Sequence, residues 1–248
     1  MIIKEDERID ETGFGSLRLI QKPQDFCYGI DAVLLADFAS EIAKKKSSII
    51  DLGTGTGIVP LILSHKTSAA KICGVEIQQD SYDRAVRNIE INNLEDRLTM
   101  VCCNVKELDD SLKGCFDTVT SNPPYMESGS AIVSSTNAKA IARHEIYAGI
   151  EDFIAAAAFL LEGHGEFFMV HRPSRLADVI YYARKHSLEP KTLRFVCPKE
   201  GEPANLMLVH CIKNAGRELR ILKNLYVYNE DGTYTDEIEL IYERKNAI

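Results

Sequence analysis

The stretch Ser47-Ser-Ile-Ile-Asp51-Leu-Gly53-Thr-Gly55-Thr-Gly57 constrains this chain more than any other. A short apolar run enters glycines at every second position and is followed by the apolar residues Ile58 to Ser64, which reads as strand, tight loop and helix. Alternate glycines let the backbone approach a ligand that a Cβ would exclude. Open α/β sheets bind ligands at this place, beyond the carboxyl end of a strand. A second strand is expected over Lys71 to Ile77, then an amphipathic helix over Asp80 to Asn92 with Tyr82, Ala85, Val86 and Ile89 on one face. Glu76, at the end of that second strand, is placed to accept hydrogen bonds from both hydroxyls of a ribose. The dinucleotide fingerprint wants a glycine where Ile58 stands, which argues against a nicotinamide-dependent oxidoreductase. Loop and acid together predict a nucleoside-binding site.

The alternation continues along the chain. Strands are expected around Leu98–Val101, Phe116–Thr120, Gly165–Val170, Leu193–Val196 and Leu206–Cys211, with helices over Phe153–Leu161 and Ser174–Lys185. This predicts an α/β fold with a mainly parallel sheet and helices on both faces. Phe14 to Ile20 reads as a short strand or hairpin arm, and Asp31 to Ala39 as a helix. Past Arg217, Leu225-Tyr-Val-Tyr228 and Tyr234-Thr flank Asn229-Glu-Asp-Gly232, a hairpin signal. The expected division is an extension over 1–24, one main domain over 25–213 and a hairpin and helix appended over 214–248.

Composition narrows the function classes. With 248 residues, 45% of them hydrophobic, the core needs neither disulfide nor metal. The seven cysteines form no paired CxxC spacing, which suits reduced thiols in a cytoplasmic protein and predicts no metal. The opening Met1-Ile-Ile-Lys-Glu-Asp6 lacks a signal-peptide pattern, and no apolar run reaches the ~18 residues of a membrane span. A net charge of -8 argues against a broad basic face for nucleic acid, though local patches remain open.

Asn122-Pro-Pro-Tyr125 follows the fourth strand, at the same sheet edge as the glycine loop. An exocyclic amine or amide nitrogen is a poor nucleophile because its lone pair is conjugated. The Asn122 side-chain oxygen and the Pro123 carbonyl can each accept one N–H hydrogen, leaving the lone pair free to attack in line. Pro123 and Pro124 fix φ near -65° and so hold the acceptors in place. Tyr125 offers a flat face for a base taken out of its stack. After the third strand, Asn104 either receives an adenine amino group, with the Val105 backbone beside it, or is an ordinary turn asparagine. Tyr28-Gly-Ile-Asp31 leads into a helix; it folds over the far end of the bound nucleoside, or Asp31 is only a helix cap. Met126 to Glu145 lacks periodicity and reads as a flap over the substrate, and Arg143 and His144 within it are candidate substrate contacts, His144 as a positioning residue rather than a base.

Asp51-Leu-Gly-Thr-Gly-Thr-Gly57, Glu76 and Asn122-Pro-Pro-Tyr125, in this order, resemble the S-adenosylmethionine-dependent class I methyltransferases of the small-domain type over roughly Gln24 to His210. Within that class, Tyr28-Gly-Ile-Asp-Ala-Val-Leu-Leu-Ala36, Ala142-Arg-His-Glu145, His171-Arg-Pro-Ser-Arg-Leu176 and the Tyr-rich tail look like the bacterial valine-tRNA adenine N6-methyltransferases, which modify the adenosine beside the anticodon. The resemblance implies a Rossmann-like, seven-stranded sheet with one antiparallel strand, an adenine N6 target and a tRNA partner. It implies cofactor contacts from Tyr28, Asp31, Asp51, Gly53, Thr54, Gly55, Gly57, Glu76, Ile77, Asn104 and Val105. Catalysis falls to Asn122, Pro123 and Tyr125, and substrate binding to Pro124, Arg143 and His144. The family commonly carries Asp where Asn104 stands; Asn keeps the acceptor.

Other functions share parts of this pattern. Glutamine methyltransferases acting on release factors use the same tetrapeptide on a side-chain amide, but place a helical domain ahead of the cofactor strand, unlike the strand-like opening here. Ribosomal RNA guanine N2 methyltransferases and a catalytically silent cofactor-binding module are the remaining readings. Lys44-Lys45-Lys46, Lys191 with Arg194, and Arg217 with Arg220 and Lys223 are candidate phosphate contacts.

Overall fold

The structure, a computed structural model, describes residues 3–25, 27–42, 48–125 and 148–244. It begins with an antiparallel ribbon of β1 (Arg8–Glu11) and β2 (Arg18–Gln21), followed by α1 (Ile30–Ile42). Units of strand and helix follow: β3 (Ser48–Leu52) with α2 (Ile58–Lys66), β4 (Lys71–Glu76) with α3 (Gln79–Ile91), then β5 (Leu98–Cys102) and β6 (Phe116–Ser121). After α4 (Ile150–Leu160) come β7 (Leu161–His171), α5 (Leu176–Lys185), β8 (Leu188–Cys197) and β9 (Leu206–Lys213). The two-residue strands β10 (Arg220–Ile221) and β11 (Leu225–Tyr226) and the short helix α6 (Asp236–Ile241) end the described chain.

The long strands lie in the order β8-β9-β7-β6-β3-β4-β5. Neighbours are parallel except for β9, which runs antiparallel to both β7 and β8. This is the Rossmann-like sheet of seven strands with one reversed, and β10 and β11 add parallel to its β8 edge. Strand residues alternate between two apolar layers, as a two-residue period requires. Ile49, Phe168, Val170, Leu206 and Leu208 face α1, α2 and α6, while Ile50, Phe167, Met169, Met207 and Val209 face α4 and α5. Near-continuous apolar strands are therefore needed in the middle of the sheet, because neither face meets water.

Three local expectations are corrected. The stretch from Phe14 to Ile20 is only partly strand. Thr12 N–H donates to the Leu17 carbonyl (3.0 Å) and Leu17 N–H to that of Phe14 (3.1 Å), so Phe14 sits in the turn with its ring fully buried. Gly13 and Gly15, at φ +84° and +53°, make that turn possible. Helix α1 starts at Ile30, which puts Asp31 inside the first turn rather than at the cap. In the tail, the Asn229–Gly232 turn closes a single antiparallel bridge between Tyr228 and Tyr234, and β11 before it pairs parallel with β8 instead of forming a hairpin arm.

Asn88 on α3 ties the opening ribbon to the glycine loop. It is fully buried, its Oδ1 accepts from Ile20 N–H at 2.6 Å, and its Nδ2 donates to the Thr56 carbonyl at 2.9 Å. Asn88→Ala leaves two backbone groups in the interior unpartnered and is expected to lower the unfolding free energy by about 1–3 kcal/mol. Denaturant unfolding measures this, and a midpoint equal to that of the native chain would contradict it.

Candidate functional site

Beyond β3 the chain turns through Gly53, Gly55 and Gly57, all at left-handed φ of +70°, +58° and +83°. The N–H groups of Gly53 and Thr54 both donate to the Val75 carbonyl, at 2.9 and 3.0 Å, so the loop is fastened to β4. At Gly55 a side chain would project into open space, which leaves this backbone free to be approached from outside. Glu76 is buried at the end of β4; its Oε2 accepts from Gly55 N–H and its Oε1 from Gln78 N–H, each at 2.8 Å. The predicted pairing of glycine loop and acid is thus a direct contact. Ile77 and Val105 lie on the same side, half-buried and buried respectively, and Cys103 N–H donates to the Glu76 carbonyl at 3.1 Å.

Asp51 and Thr54 stand behind the loop. Asp51 is buried, and its Oδ1 accepts from the Thr120 hydroxyl at 2.6 Å across the β3–β6 pair. Burial pushes its carboxyl up to about 7, and the neighbouring Glu76 charge adds to the shift. Thr54 Oγ1 is buried beside it without a hydrogen-bond partner of good geometry. Asn104 Oδ1 accepts from Lys106 N–H at 3.0 Å, so it closes a local turn while keeping a second lone pair.

The tetrapeptide leaves β6 at the same edge, where Ser121 Oγ donates to the Leu52 carbonyl at 3.0 Å. Asn122 Nδ2 donates to Asp31 Oδ2 at 3.1 Å, and the Tyr125 hydroxyl lies 2.8 Å from Asp31 Oδ2 and 2.6 Å from Asn122 Oδ1. Asp31 thus orients the Asn122 amide, with nitrogen toward the carboxylate. Asp31 is therefore not a helix cap, and its carboxylate faces the tetrapeptide instead. Pro123 is buried and Pro124 half-buried. Burial and the Asp31 charge hold the Tyr125 phenol protonated, far above its ordinary range.

One face of the Tyr125 ring carries the Arg172 guanidinium at 5.0 Å, and His171 meets it T-shaped at 5.2 Å. Burial, with Arg175 nearby, lowers His171 to about 4, so the ring is neutral at pH 7. Arg172 N–H donates to His171 Nδ1 at 2.9 Å, which assigns the ring proton to Nε2. His171 and Arg172 had appeared only as part of a sequence motif; the sign of their place was that β7 ends beside β6.

Arg143, His144, the flap over Met126 to Glu145 and the Lys44–Lys46 run fall outside the described residues. Lys191 Nζ donates to the Gly216 carbonyl, and Arg194 is held by Glu237 and the Lys223 carbonyl, so both are engaged within the fold. Arg217, Arg220 and Lys223 are exposed near the β8 edge. Tyr28 stands half-buried at the mouth of a separate cleft. Among the described residues, no group of His, Cys, Asp and Glu is arranged to hold a metal ion, and no helix is long and apolar enough to cross a membrane.

The raised Asp51 carboxyl has a consequence for stability. The folded state favours its protonated form, so the stability it contributes is complete below the ordinary carboxylate range and is lost as pH rises to about 7. In the ligand-free protein, the melting temperature of Asp51→Asn relative to the native chain should therefore rise from pH 5 to pH 8. A pH-independent difference would show Asp51 ionised throughout.

Comparison with known proteins identifies the family. The family model for the methyltransferase small domain matches residues 28–180. The tRNA1(Val) (adenine(37)-N6)-methyltransferase of Trichodesmium erythraeum is 31% identical over 220 residues, covering 86% of this chain and 89% of that protein. The enzyme of the same name from Mannheimia succiniciproducens is 29% identical over 217 residues, covering 84% and 83%. Among solved structures, a predicted O-methyltransferase from Agrobacterium tumefaciens shares the fold with a TM-score of 0.70 at 21% identity, covering 88% of this chain and 98% of that one. TYW2 of M. jannaschii, solved in complex with AdoMet, gives 0.57 at 14% identity over 86% and 87%. The chain belongs to the methyltransferase small-domain family and is an S-adenosylmethionine-dependent methyltransferase.

Proposed function

We propose that the chain methylates N6 of an adenine in tRNA, at the nucleotide beside the anticodon, in the cytoplasm. The observation that carries this reading is the Asn122 amide, whose nitrogen donates to Asp31 Oδ2, so that its oxygen is the acceptor side and meets only the Tyr125 hydroxyl among the described residues. Together with the carbonyl of the adjoining Pro123, that oxygen would serve a primary amino group that must give up both N–H hydrogens to hydrogen bonds. The relatives named as tRNA adenine N6-methyltransferases supply the choice of adenine in tRNA.

The residues present fit the cofactor. Open space at Gly55 admits an adenosyl group close to the backbone, and each Glu76 oxygen keeps a further lone pair for a ribose hydroxyl beyond the N–H it already accepts. Asn104 and Val105 would border the adenine, with Ile77 against it. When bound, the cofactor supplies an electrophilic methyl group carried on a sulfonium. Asn122 Oδ1 and the Pro123 carbonyl hold the two amino hydrogens, so the nitrogen becomes more tetrahedral as its lone pair turns to the methyl carbon. Pro123 and Pro124 resist reorganisation of these acceptors. Asp31 and Tyr125 hold Asn122 through hydrogen bonds, and the Tyr125 ring is the proposed stacking face for the base. Pro124, Arg143 and His144 are the proposed substrate contacts beside them.

Asn122→Ala should lower kcat by about 100-fold or more, the scale of losing one acceptor aimed at the reacting group, while the Kd of S-adenosylhomocysteine stays within a few-fold. Asp31→Asn should lower kcat as well, because a second amide no longer dictates which way Asn122 faces. Retention of full activity in either variant would end the proposed geometry.

The decisive experiment is transfer of labelled methyl to bacterial tRNA lacking modifications, with nucleoside analysis of the product. N6-methyladenosine beside the anticodon is the expected result. Cofactor binding without any incorporation into tRNA would move the substrate to a protein amide or a ribosomal guanine.

A further inference from the structure

We propose that a cleft between the opening ribbon and the C-terminal tail takes an unpaired nucleobase of the RNA substrate, stacked on Tyr228. The proposal rests on the RNA reading above and adds a second point of recognition to it. The cleft has a volume of about 510 Å³ and is walled by Glu11, Tyr28, Tyr228, Tyr234, Tyr242 and Arg244.

Its wall is a ladder of near-parallel rings. Tyr228 stacks on Tyr234 at 5.3 Å and 13°, Tyr234 on Tyr242 at 5.7 Å and 16°, and Tyr242 on Phe14 at 5.9 Å and 19°. Exposure climbs along it, from 0% at Phe14 and 7% at Tyr242 to 39% at Tyr228. The ladder is closed inside and, among the described residues, ends outside on a free aromatic ring. A base presents the same flat π face and continues such a stack.

The ladder is also rigid and cationic along one side. The Arg244 guanidinium lies over Tyr242 at 4.7 Å and over Tyr234 at 5.8 Å. Lys66 Nζ donates to the Ile241 carbonyl at 2.9 Å, and His65 meets Glu243 at 2.7 Å, pinning the tail to α2. Thr235 caps α6 and its hydroxyl donates to the Tyr226 carbonyl at 2.7 Å. Little order remains to be imposed on binding, which favours affinity. Burial raises the phenols of Tyr28, Tyr234 and Tyr242, consistent with a desolvated aromatic wall.

Charge selects which part of a nucleotide enters. Glu11, exposed and lining the same cleft, repels a phosphate but can accept from an exocyclic amino group. The base goes in and the backbone stays outside. The cleft also adjoins the reaction site through the chain itself: Gly29 and Ile30 line it, and the next residue, Asp31, holds Asn122 and Tyr125. A nucleotide near the target adenine is therefore its occupant.

Tyr228→Ala removes the open end of the ladder without disturbing its buried rungs, and Tyr228→Phe keeps the ring. With unmodified tRNA, Tyr228→Ala should raise KM roughly tenfold at unchanged kcat, as expected for losing one base stack, and Tyr228→Phe should behave as native. Independently, a short single-stranded RNA carrying 2-aminopurine next to an adenine should be quenched by the native protein and by Tyr228→Phe, and much less by Tyr228→Ala. Equal quenching by all three, or an unchanged KM in Tyr228→Ala, would overturn the proposal. A weakened Kd for S-adenosylhomocysteine in Tyr228→Ala would overturn it too, by making the cofactor the occupant. If native protein methylates no tRNA, the functional reading fails, and the quenching comparison still decides the cleft.

Discussion

Parallel pairing of β3 with β4 on one side and β6 on the other is the constraint on which everything else depends. Leu52 stands opposite both Val75 and Ser121, so the three strands end at one level. Their following loops have no choice but to share an edge. The glycines, Glu76 and Asn122 come from distant parts of the chain and meet because the ladder of backbone hydrogen bonds leaves them there. Thr120 to Asp51 and Ser121 to Leu52 fasten the same two strands from the side-chain level.

Around this centre, half-buried polar side chains close the loops that strands and helices leave open. Arg97 reaches the carbonyls of Ser64, Thr67 and Ala69 at the end of α2, and Lys213 reaches that of Leu161 where α4 gives way to β7. Glu7, its side chain only 2% exposed, receives both terminal nitrogens of Arg87 at 2.6 and 2.7 Å and fixes the start of the chain to α3. These Arg guanidinium bonds hold the Glu7 carboxyl down at about 2. Each of these side chains satisfies backbone or charge that would otherwise be stranded in the interior.

The sheet was legible because apolar period and glycine punctuation are local properties. Ile49 and Ile50, or Phe167 and Phe168, announce a strand buried on both faces wherever they stand. The contact between Glu76 and Gly55 was legible for the same reason, since both sit at strand ends. Asp31 was not, because a residue just ahead of an apolar helix looks like a cap, and only the tertiary packing of α1 beside β6 reveals Asn122 and Tyr125 as its partners. Phe14 misled through its apolar character, which buries it from a turn as readily as from a strand. Strands of two residues, such as β10 and β11, carry no period at all, so their parallel docking on β8 left no trace in the sequence.

The Tyr125 hydroxyl owns one hydrogen and faces two acceptors at similar distance, Asp31 Oδ2 and Asn122 Oδ1. Whichever it serves, the other is left with spare lone pairs. An amino group of the proposed substrate would take over Asn122 Oδ1 while the phenol swings its hydrogen to the carboxylate, so that the number of hydrogen bonds at this corner would not fall. On that reading the site would pass from its empty to its loaded arrangement by rotating a single O–H bond, with the Asp31 charge still paired.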